Sequence, residues 1–157
     1  MDDSACVAAA SSARPAASRV AAAVPQDGLF IALLNGFRSS GGLQRLSVLQ
    51  ASRQDAWRID VVEALPSRVA GRNVLGITWN HEVWVPDFQF DGHGAVKHPA
   101  AAVFLELTPS HDPWELATWF VSPSVWLRHD RPIDLLEKAP ARVFEAARAD
   151  RYITSGW

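Results

Sequence analysis

The sequence contains a single cysteine, Cys6, and this scarcity excludes both a disulfide framework and a metal cluster held by several thiolates. It also lacks any apolar run long enough to cross a bilayer, which predicts a protein without membrane contact. The net charge is only −2 at pH 7, so no global field selects a polyanion. We therefore expect a cytoplasmic protein in a reducing compartment.

Catalytic signatures are also missing. No serine lies in a GxSxG elbow, and Gly41-Gly42 lacks the Lys-Ser/Thr that would complete a phosphate-binding loop. The sequence contains neither HExxH nor a paired Cys/His motif. We expect no enzymatic activity, no catalytic residues, no metal and no cofactor.

A hydrolase or metal enzyme stays an alternative that would have to use the carboxylates and histidines of the hairpin and of the turn after it. His93 and His98 lie five residues apart near Asp87 and Asp91, and they could hold Zn²⁺ only if a fourth ligand such as His81 folded back. Together with Glu82, these two aspartates offer paired carboxylates. Their alternation with valines instead favours a solvated strand face.

The chain is organised around residues 112–136, which contain three tryptophans and two proline-marked helix starts. Asp112 and Glu115 fit the two ends of a capping box, which predicts that a helix begins there. That helix is apolar on most sides, which predicts a central position. The later pairs Ser122-Pro123 and Arg131-Pro132 each predict a further short helix.

The remaining periodicity predicts a mainly α domain of about six to eight short helices with one two-stranded β-hairpin. Helices are predicted close to residues 29–37, 43–53, 57–65, 99–107 and 140–151, with a short continuation of the third over 67–72 after Pro66. The hairpin signal begins at Gly76, where apolar and polar residues alternate on both sides of a turn at Asn80-His81-Glu82. Pro86 would confine the second strand, predicted to reach Phe90, to an edge or a bulge.

Residues 1–28 are rich in alanine and serine and have almost no large apolar side chain. They cannot bury enough surface to offset the entropy of ordering, so we expect a disordered tail or a start codon assigned too early. Residues 29–157 are predicted to form a single helical domain, with N-terminal helices over 29–72, the hairpin and later helices over 73–151, and a patternless tail at 152–157.

The predicted core of the second half consists mostly of aromatic residues at periodic apolar positions. It comprises Trp79, Trp84, Phe88, Phe90, Trp114, Trp119, Trp126, Pro132, Leu135 and Leu136. Trp157 differs from these, because an aromatic residue at the end of a patternless tail has no core period to explain it. Since tryptophan is enriched at interface hot spots, we predict that Trp157 contacts a partner.

Five motifs follow one another between Val83 and Arg148. They are the strand VWVPDFQFDGHGAV, the helix PAAAVFLELT, the stretch DPWELATWFVSPSVWL, the motif DRPIDLLEKAP and a closing Val-x-x-Ala helix. In this order they resemble the toxin-binding domain of antitoxins of the Xre/MbcA/ParS type, with FQFD and RPIDLL as the most specific pieces. The resemblance covers about the last half of the chain.

The resemblance implies a non-catalytic, antitoxin-like domain that binds and neutralises a toxin of the RES type, an enzyme that consumes NAD⁺. At the matching positions, Arg131, Pro132, Leu135 and Leu136 would form and brace the binding end. The identity of the protein partner and the formation of a homodimer stay open. The predicted partner-binding residues are Arg128, Arg131, Arg148, Arg151, Tyr152 and Trp157.

The first half of the domain supports an alternative, a transcriptional regulator that binds operator DNA. Residues 29–72 carry six arginines against three acidic residues, whereas residues 73–157 carry seven basic and eleven acidic residues. A helix, the Gly41-Gly42 turn and a second helix are compatible with a helix-turn-helix module. The candidate DNA contacts are Arg38, Arg45 and Arg53.

Overall fold

The computed structural model describes the backbone of residues 14–156 and the side chains of residues 26–156. This part of the chain contains seven α-helices, which agrees with the predicted class and number. They are α1 (Arg14–Phe37), α2 (Leu46–Arg53), α3 (Ile59–Ala70), α4 (His98–Leu107), α5 (Pro113–Val121), α6 (Pro132–Leu135) and α7 (Pro140–Thr154). Short 3-10 helices cover Arg38–Ser40, Asp87–Gln89 and Val125–Leu127. None of the helices described is both long enough and apolar enough to cross a membrane.

The predicted tail at residues 1–28 falls partly outside the described residues, which begin at Arg14. From Arg14 onwards the backbone belongs to α1. For residues 1–13 disorder stays a prediction. The chain divides into two units between Ile31 and Ala32, and the second unit includes the end of α1, every strand that the structure describes and α2–α7.

The β-sheet has three antiparallel strands, one more than predicted. They are β1 (Leu43–Arg45), β2 (Ile77–Trp79) and β3 (Glu82–Pro86), in the order β1-β3-β2. The β2–β3 hairpin is present as predicted, but Glu82 pairs with Trp79 in β3 and does not belong to the turn, which Asn80 and His81 form with φ values of 48° and 63°. Positive φ at both central residues is the conformation of a type I′ turn, whose twist matches that of the flanking strands.

Pro86 lies in the central strand, so its predicted placement at an edge or bulge was wrong. It is the last residue of β3 and lies opposite Leu43 of β1. The next amide, that of Asp87, donates to the carbonyl of Gly42 over 3.1 Å. The missing N–H of proline therefore falls at the end of the strand. The 3-10 helix Asp87–Gln89 follows directly, so β3 is shorter than the predicted strand, which reached Phe90.

The FQFD string (residues 88–91) begins with a phenylalanine that joins the sheet to the helices. The ring of Phe88 stacks on Phe37 with a centroid distance of 5.6 Å and lies 4.9 Å from the ring of Phe120 in α5. Phe120 in turn contacts Phe104 of α4 edge-on at 5.8 Å. Because aromatic pairs at these distances stabilise each other beyond simple area burial, Phe88 is a central core residue.

Gln89, the second residue of this string, is completely buried. Its Oε1 accepts the backbone N–H of Leu75 over 2.8 Å, and its Nε2 donates to the carbonyls of Leu75 and Pro86 over 3.0 and 2.9 Å. The side-chain amide of Gln89 thus joins Leu75, which lies just before β2, to Pro86, the last residue of β3. A buried polar group is tolerated here because it is well hydrogen-bonded.

The helix α5 begins with the predicted capping box. The backbone N–H of Glu115 donates to Asp112 Oδ1, and the backbone N–H of Asp112 donates to Glu115 Oε2, each over 2.8 Å. Leu116, Ala117 and Phe120 of this helix are buried. This position gives α5 the central role that its apolar sequence predicts.

Burial separates the ten predicted core residues into three groups. Phe88, Phe90, Pro132 and Leu136 are buried, whereas Trp79, Trp84, Trp114, Trp119 and Leu135 are half-buried. Trp126 is 48% exposed, so its assignment to the core was wrong. Its neighbour Leu127 fills the core position of the same 3-10 turn and is completely buried.

Candidate protein-binding surface

The C-terminal end of α7 and the neighbouring helix α4 line a cleft of about 600 Å³. Arg148, Arg151 and Tyr152, three of the predicted partner-binding residues, line this cleft together with Glu106 and Glu145. The sequence predicts a patternless tail from residue 152, but α7 continues to Thr154. Tyr152 therefore lies in the last turn of this helix. Trp157 lies outside the described residues, and its contact with a partner stays a prediction.

The charges of the cleft form two accessible ion pairs. Arg151 Nη1 lies 3.1 Å from Glu106 Oε1 and joins α7 to α4. Arg148 Nη1 lies 3.4 Å from Glu145 Oε1, one turn earlier on α7. Exposed pairs of this kind contribute little to stability, so both arginines can exchange their partners for carboxylates of another protein.

One exposed apolar side chain lines the cleft, and two more are next in sequence to residues that line it. Tyr152 is 69% exposed and Ile153 is 65% exposed, and Leu105 of α4 is 77% exposed. Tyr152 and Ile153 are consecutive, so their side chains point about 100° apart around the helix. The last turn of α7 therefore presents apolar surface on two of its faces.

Asp150 joins two tryptophans to α7. Trp119 Nε1 of α5 donates to Asp150 Oδ2 over 2.5 Å, and Trp126 Nε1 donates to Asp150 Oδ1 over 2.8 Å. Both oxygens of one carboxylate are thus occupied by indole N–H groups, and hydrogen bonds to a charged acceptor are the stronger kind. The ring of Trp126 is held in place although about half of the residue is in contact with solvent.

The surface around Trp126 continues the exposed face of α7. Val125 is 70% exposed, and Ile153 follows Asp150 by three residues, on the same side of the helix. Arg128 is exposed, has a left-handed backbone with a φ of 58°, and makes no side-chain hydrogen bond or ion pair in the part of the chain described. We call Val125, Trp126, Arg128, Tyr152 and Ile153, with the cleft, the α7 surface.

Arg131, a predicted partner-binding residue, makes hydrogen bonds within the fold. Its Nε and Nη2 donate to the two carboxylate oxygens of Asp134 over 2.7 and 2.8 Å, and its Nη1 donates to the carbonyl of Gly36 over 3.3 Å. The bidentate hydrogen bond to Asp134 raises the pKa of Arg131 above its usual value. This part of the RPIDLL motif therefore holds the start of α6 to the end of α1.

Two of the candidate DNA-binding arginines are paired with acidic residues of the sheet region. Arg45 Nε lies 2.8 Å from Glu82 Oε2, and Arg53 Nη2 lies 2.9 Å from Asp87 Oδ1. Arg38 is exposed and donates from Nη2 to Asn35 Oδ1 over 3.1 Å. The excess positive charge of residues 29–72 is thus partly neutralised by the carboxylates of Glu82 and Asp87, which the sequence predicts to be solvated.

The polar residues of the turn that begins at Asp91 are explained by hydrogen bonds within the turn. Asp91 Oδ1 accepts the backbone N–H groups of His93 and Ala95 over 2.8 and 3.0 Å. The hydrogen bond from His93 is the main cause that holds the pKa of Asp91 below its ordinary value of 3.8. Among the described side chains, no group of three or more histidine, cysteine, aspartate and glutamate residues could hold a metal ion.

The sequence analysis did not identify several residues that form or adjoin the α7 surface. Asp150 and Ile153 continue an amphipathic pattern in which nothing distinguishes them, and the contacts of Asp150 are with residues 24 and 31 positions away. The exposure of Leu105 follows from the burial of Val103, Phe104 and Leu107 on the other sides of α4. A stricter helical count would have found this last signal.

No family model matches this chain, and no match was found among curated proteins or solved structures. The α7 surface and the order of the five motifs are therefore the features that bear on function.

Proposed function

We propose that this chain is a non-catalytic, antitoxin-like protein-binding module that binds and neutralises a partner toxin in the cytoplasm. The resemblance of its second half to Xre/MbcA/ParS-type antitoxins indicates a partner of the RES type, an enzyme that consumes NAD⁺. The module needs no cofactor for this role, since neutralisation requires only that it cover the active site of the partner.

The concentration of exposed apolar side chains on and beside α7 carries the proposal. Eight large apolar residues are exposed in the described part of the chain, and five of them are Leu105, Val125, Trp126, Tyr152 and Ile153. These five belong to α4, α7 and the 3-10 helix that packs on α7. A concentration of exposed apolar side chains on neighbouring elements is typical of a protein-binding site.

The hydrogen bonds of Asp150 prepare this surface for binding. The indole of Trp126 is oriented before a partner arrives, so little side-chain entropy is lost when it is covered. The exposed cation of Arg128 and the exchangeable ion pair of Arg151 lie around the apolar residues, where charged groups steer association and select partners. An aromatic anchor with arginines beside it is the usual composition of an interface hot spot.

The partner can be isolated by expressing the tagged full chain in its native host and identifying what copurifies at moderate salt. We expect a stoichiometric small enzyme, encoded close by, whose NAD⁺ consumption is inhibited by the purified chain. Tyr152→Ser and Ile153→Ser together should weaken the complex by at least about tenfold, because two exposed interface side chains would be lost.

The matched control is Val48→Ser on α2, which removes an apolar side chain that is 51% exposed and belongs to another element. It should leave the affinity unchanged. Equal loss of affinity in the control, or full affinity in the α7 variant, would show that the α7 surface is not the contact. The lack of any copurifying protein would count against the proposal as a whole.

The alternative of operator binding is weakened mainly at Arg53, because its ion pair with Asp87 is partly buried, whereas the exposed pair of Arg45 with Glu82 could exchange its carboxylate for a phosphate. We expect no mobility shift of the DNA upstream of the gene at low salt. A shift that depends steeply on salt would restore this alternative.

A further inference from the structure

A second concave surface lies between the C-terminal end of α3 and one side of α4. It has a volume of about 470 Å³, which is within the range of small-molecule sites. We call it the arginine groove, and its lining includes Arg68, Arg72, Val96, Ala101, Leu105 and Pro109. It is distinct from the cleft of the α7 surface, which is lined by other residues.

Within the described structure, the two arginines of this groove donate to uncharged acceptors only. Arg68 Nη1 donates to the carbonyl of Gly94 over 3.2 Å. Arg72 donates from Nη1 to the carbonyl of Thr108 over 3.1 Å and from Nη2 to the carbonyl of His111 over 2.5 Å. The lining of the groove contains no carboxylate. Each guanidinium has five N–H donors, so both have donors left for an anion.

These backbone hydrogen bonds fix where the guanidinium groups lie, and the bond of Arg72 to Thr108 places one cation at the C-terminal end of α4, where a positive charge is favourable. They do not neutralise the positive charges, which are half-buried on one side of the groove. Elsewhere in the described chain, Arg45, Arg53 and Arg131 are each paired with a carboxylate. The arginine groove therefore presents two cations that a bound carboxylate would complement.

The rest of the groove is largely apolar. Ala101 and Leu105 lie one turn apart on the same side of α4, and Val96 and Pro109 extend the apolar lining beyond both ends of the helix. The side chain of Leu105 is 77% exposed, so a chain lying along α4 would remove apolar surface from water. A ligand that fits this lining has an apolar chain with an anionic end.

We propose that the arginine groove binds a short amphipathic carboxylate, such as a medium-chain fatty acid. Its carboxylate accepts hydrogen bonds from Arg68 and Arg72, and its hydrocarbon chain lies against Ala101 and Leu105. Guanidinium groups form paired hydrogen bonds with a planar carboxylate, so this head group complements the two arginines. This site can be tested separately from toxin binding, because its two arginines do not belong to the α7 surface and only Leu105 is common to both proposals.

Octanoate is the probe that tests this site, titrated into the ¹⁵N-labelled full chain and followed by NMR. We expect saturable shifts of the amide signals of Ala101 and Leu105. Arg68→Gln should weaken binding by at least about tenfold, because it removes a charge-assisted hydrogen bond to the ligand. Arg142→Gln, which removes an exposed arginine of α7, is the matched control and should bind octanoate like the wild type.

Two further probes with the same chain length separate charge from hydrophobicity. Octyltrimethylammonium should not bind, because it brings a cation to two arginines, and octyl phosphate should bind no tighter than octanoate. The proposal is overturned by equal binding of octyltrimethylammonium, by tenfold tighter binding of octyl phosphate, or by an Arg68→Gln variant with full affinity. Absence of saturation at about 10 mM octanoate would overturn it too.

Discussion

The indole N–H of Trp126 donates to Asp150 Oδ1 over 2.8 Å, which fixes an exposed aromatic ring to the side of α7. The second oxygen of the same carboxylate is occupied by Trp119 of α5. One aspartate thus couples the central helix of the domain to the orientation of its exposed tryptophan. The α7 surface is consequently a product of core packing and not a separate, mobile appendage.

Replacing Asp150 with alanine should lower the free energy of unfolding by about 2 kcal/mol, because hydrogen bonds to a charged group contribute about 1.5–3 kcal/mol. It should also shift the tryptophan emission to longer wavelength as the indole of Trp126 becomes mobile in water. Urea denaturation followed by fluorescence measures both effects. The control is Asp130→Ala, at an exposed carboxylate without a side-chain hydrogen bond in the described structure. Equal behaviour of the two variants would contradict the coupling.

Gly94 is required by its backbone and by its surroundings. Its φ is +83°, and a Cβ at this position would lie 2.6 Å from the ring of Trp57 and 2.8 Å from a methyl group of Val61. Gly94→Ala should therefore destabilise the protein by roughly 2–4 kcal/mol through backbone strain and overpacking. Gly92→Ala is the matched control, since a Cβ there meets nothing within 4 Å. Thermal denaturation should separate the two variants, and a similar melting temperature would refute this packing.

Asp91 should make a pH-dependent contribution to stability. Because the hydrogen bond from the His93 amide lowers the pKa of Asp91 in the folded state, the charged form favours folding above the unfolded pKa of 3.8. This contribution is lost as the pH falls through the lowered pKa. Asp91→Asn should melt below the wild type at pH 7, and the difference should shrink as the pH is lowered past 3.8.

Melting curves between pH 2 and pH 7 measure this difference, with Asp55→Asn run in parallel to correct for the loss of one negative charge. A difference between Asp91→Asn and wild type that is constant over the whole range would show that the charge of Asp91 has no role in folding.

Local signals were sufficient for much of this fold. The pair Asp112 and Glu115 marked the start of α5 because both partners of a capping box lie within four residues, and Asn80-His81 marked the hairpin because its turn depends on two adjacent residues. By contrast, β1 was missed. Leu43, Leu46 and Leu49 have helical spacing, and the pairing of Leu43 with Pro86 depends on a residue 43 positions away.

The candidate surface could be predicted only in part, for the same reason. Arg148, Arg151 and Tyr152 do meet in one cleft, but the side chain of Arg131 is committed to Asp134 and Gly36. Trp126 follows the apolar period of its segment, and that period cannot reveal that Leu127 takes the buried position in a turn only three residues long. Contacts across the chain decided each of these positions.

The buried amide of Gln89 affects how divergent copies of this gene would evolve. Its three hydrogen bonds make the FQFD string a requirement of folding, so selection for stability alone would preserve this string in descendants with unrelated partners. Codons for the exposed residues 151–153 are under no such restriction, because substitutions there cost the fold little. After gene duplication, one copy could therefore keep the fold and acquire a new target through substitutions in the last turn of α7.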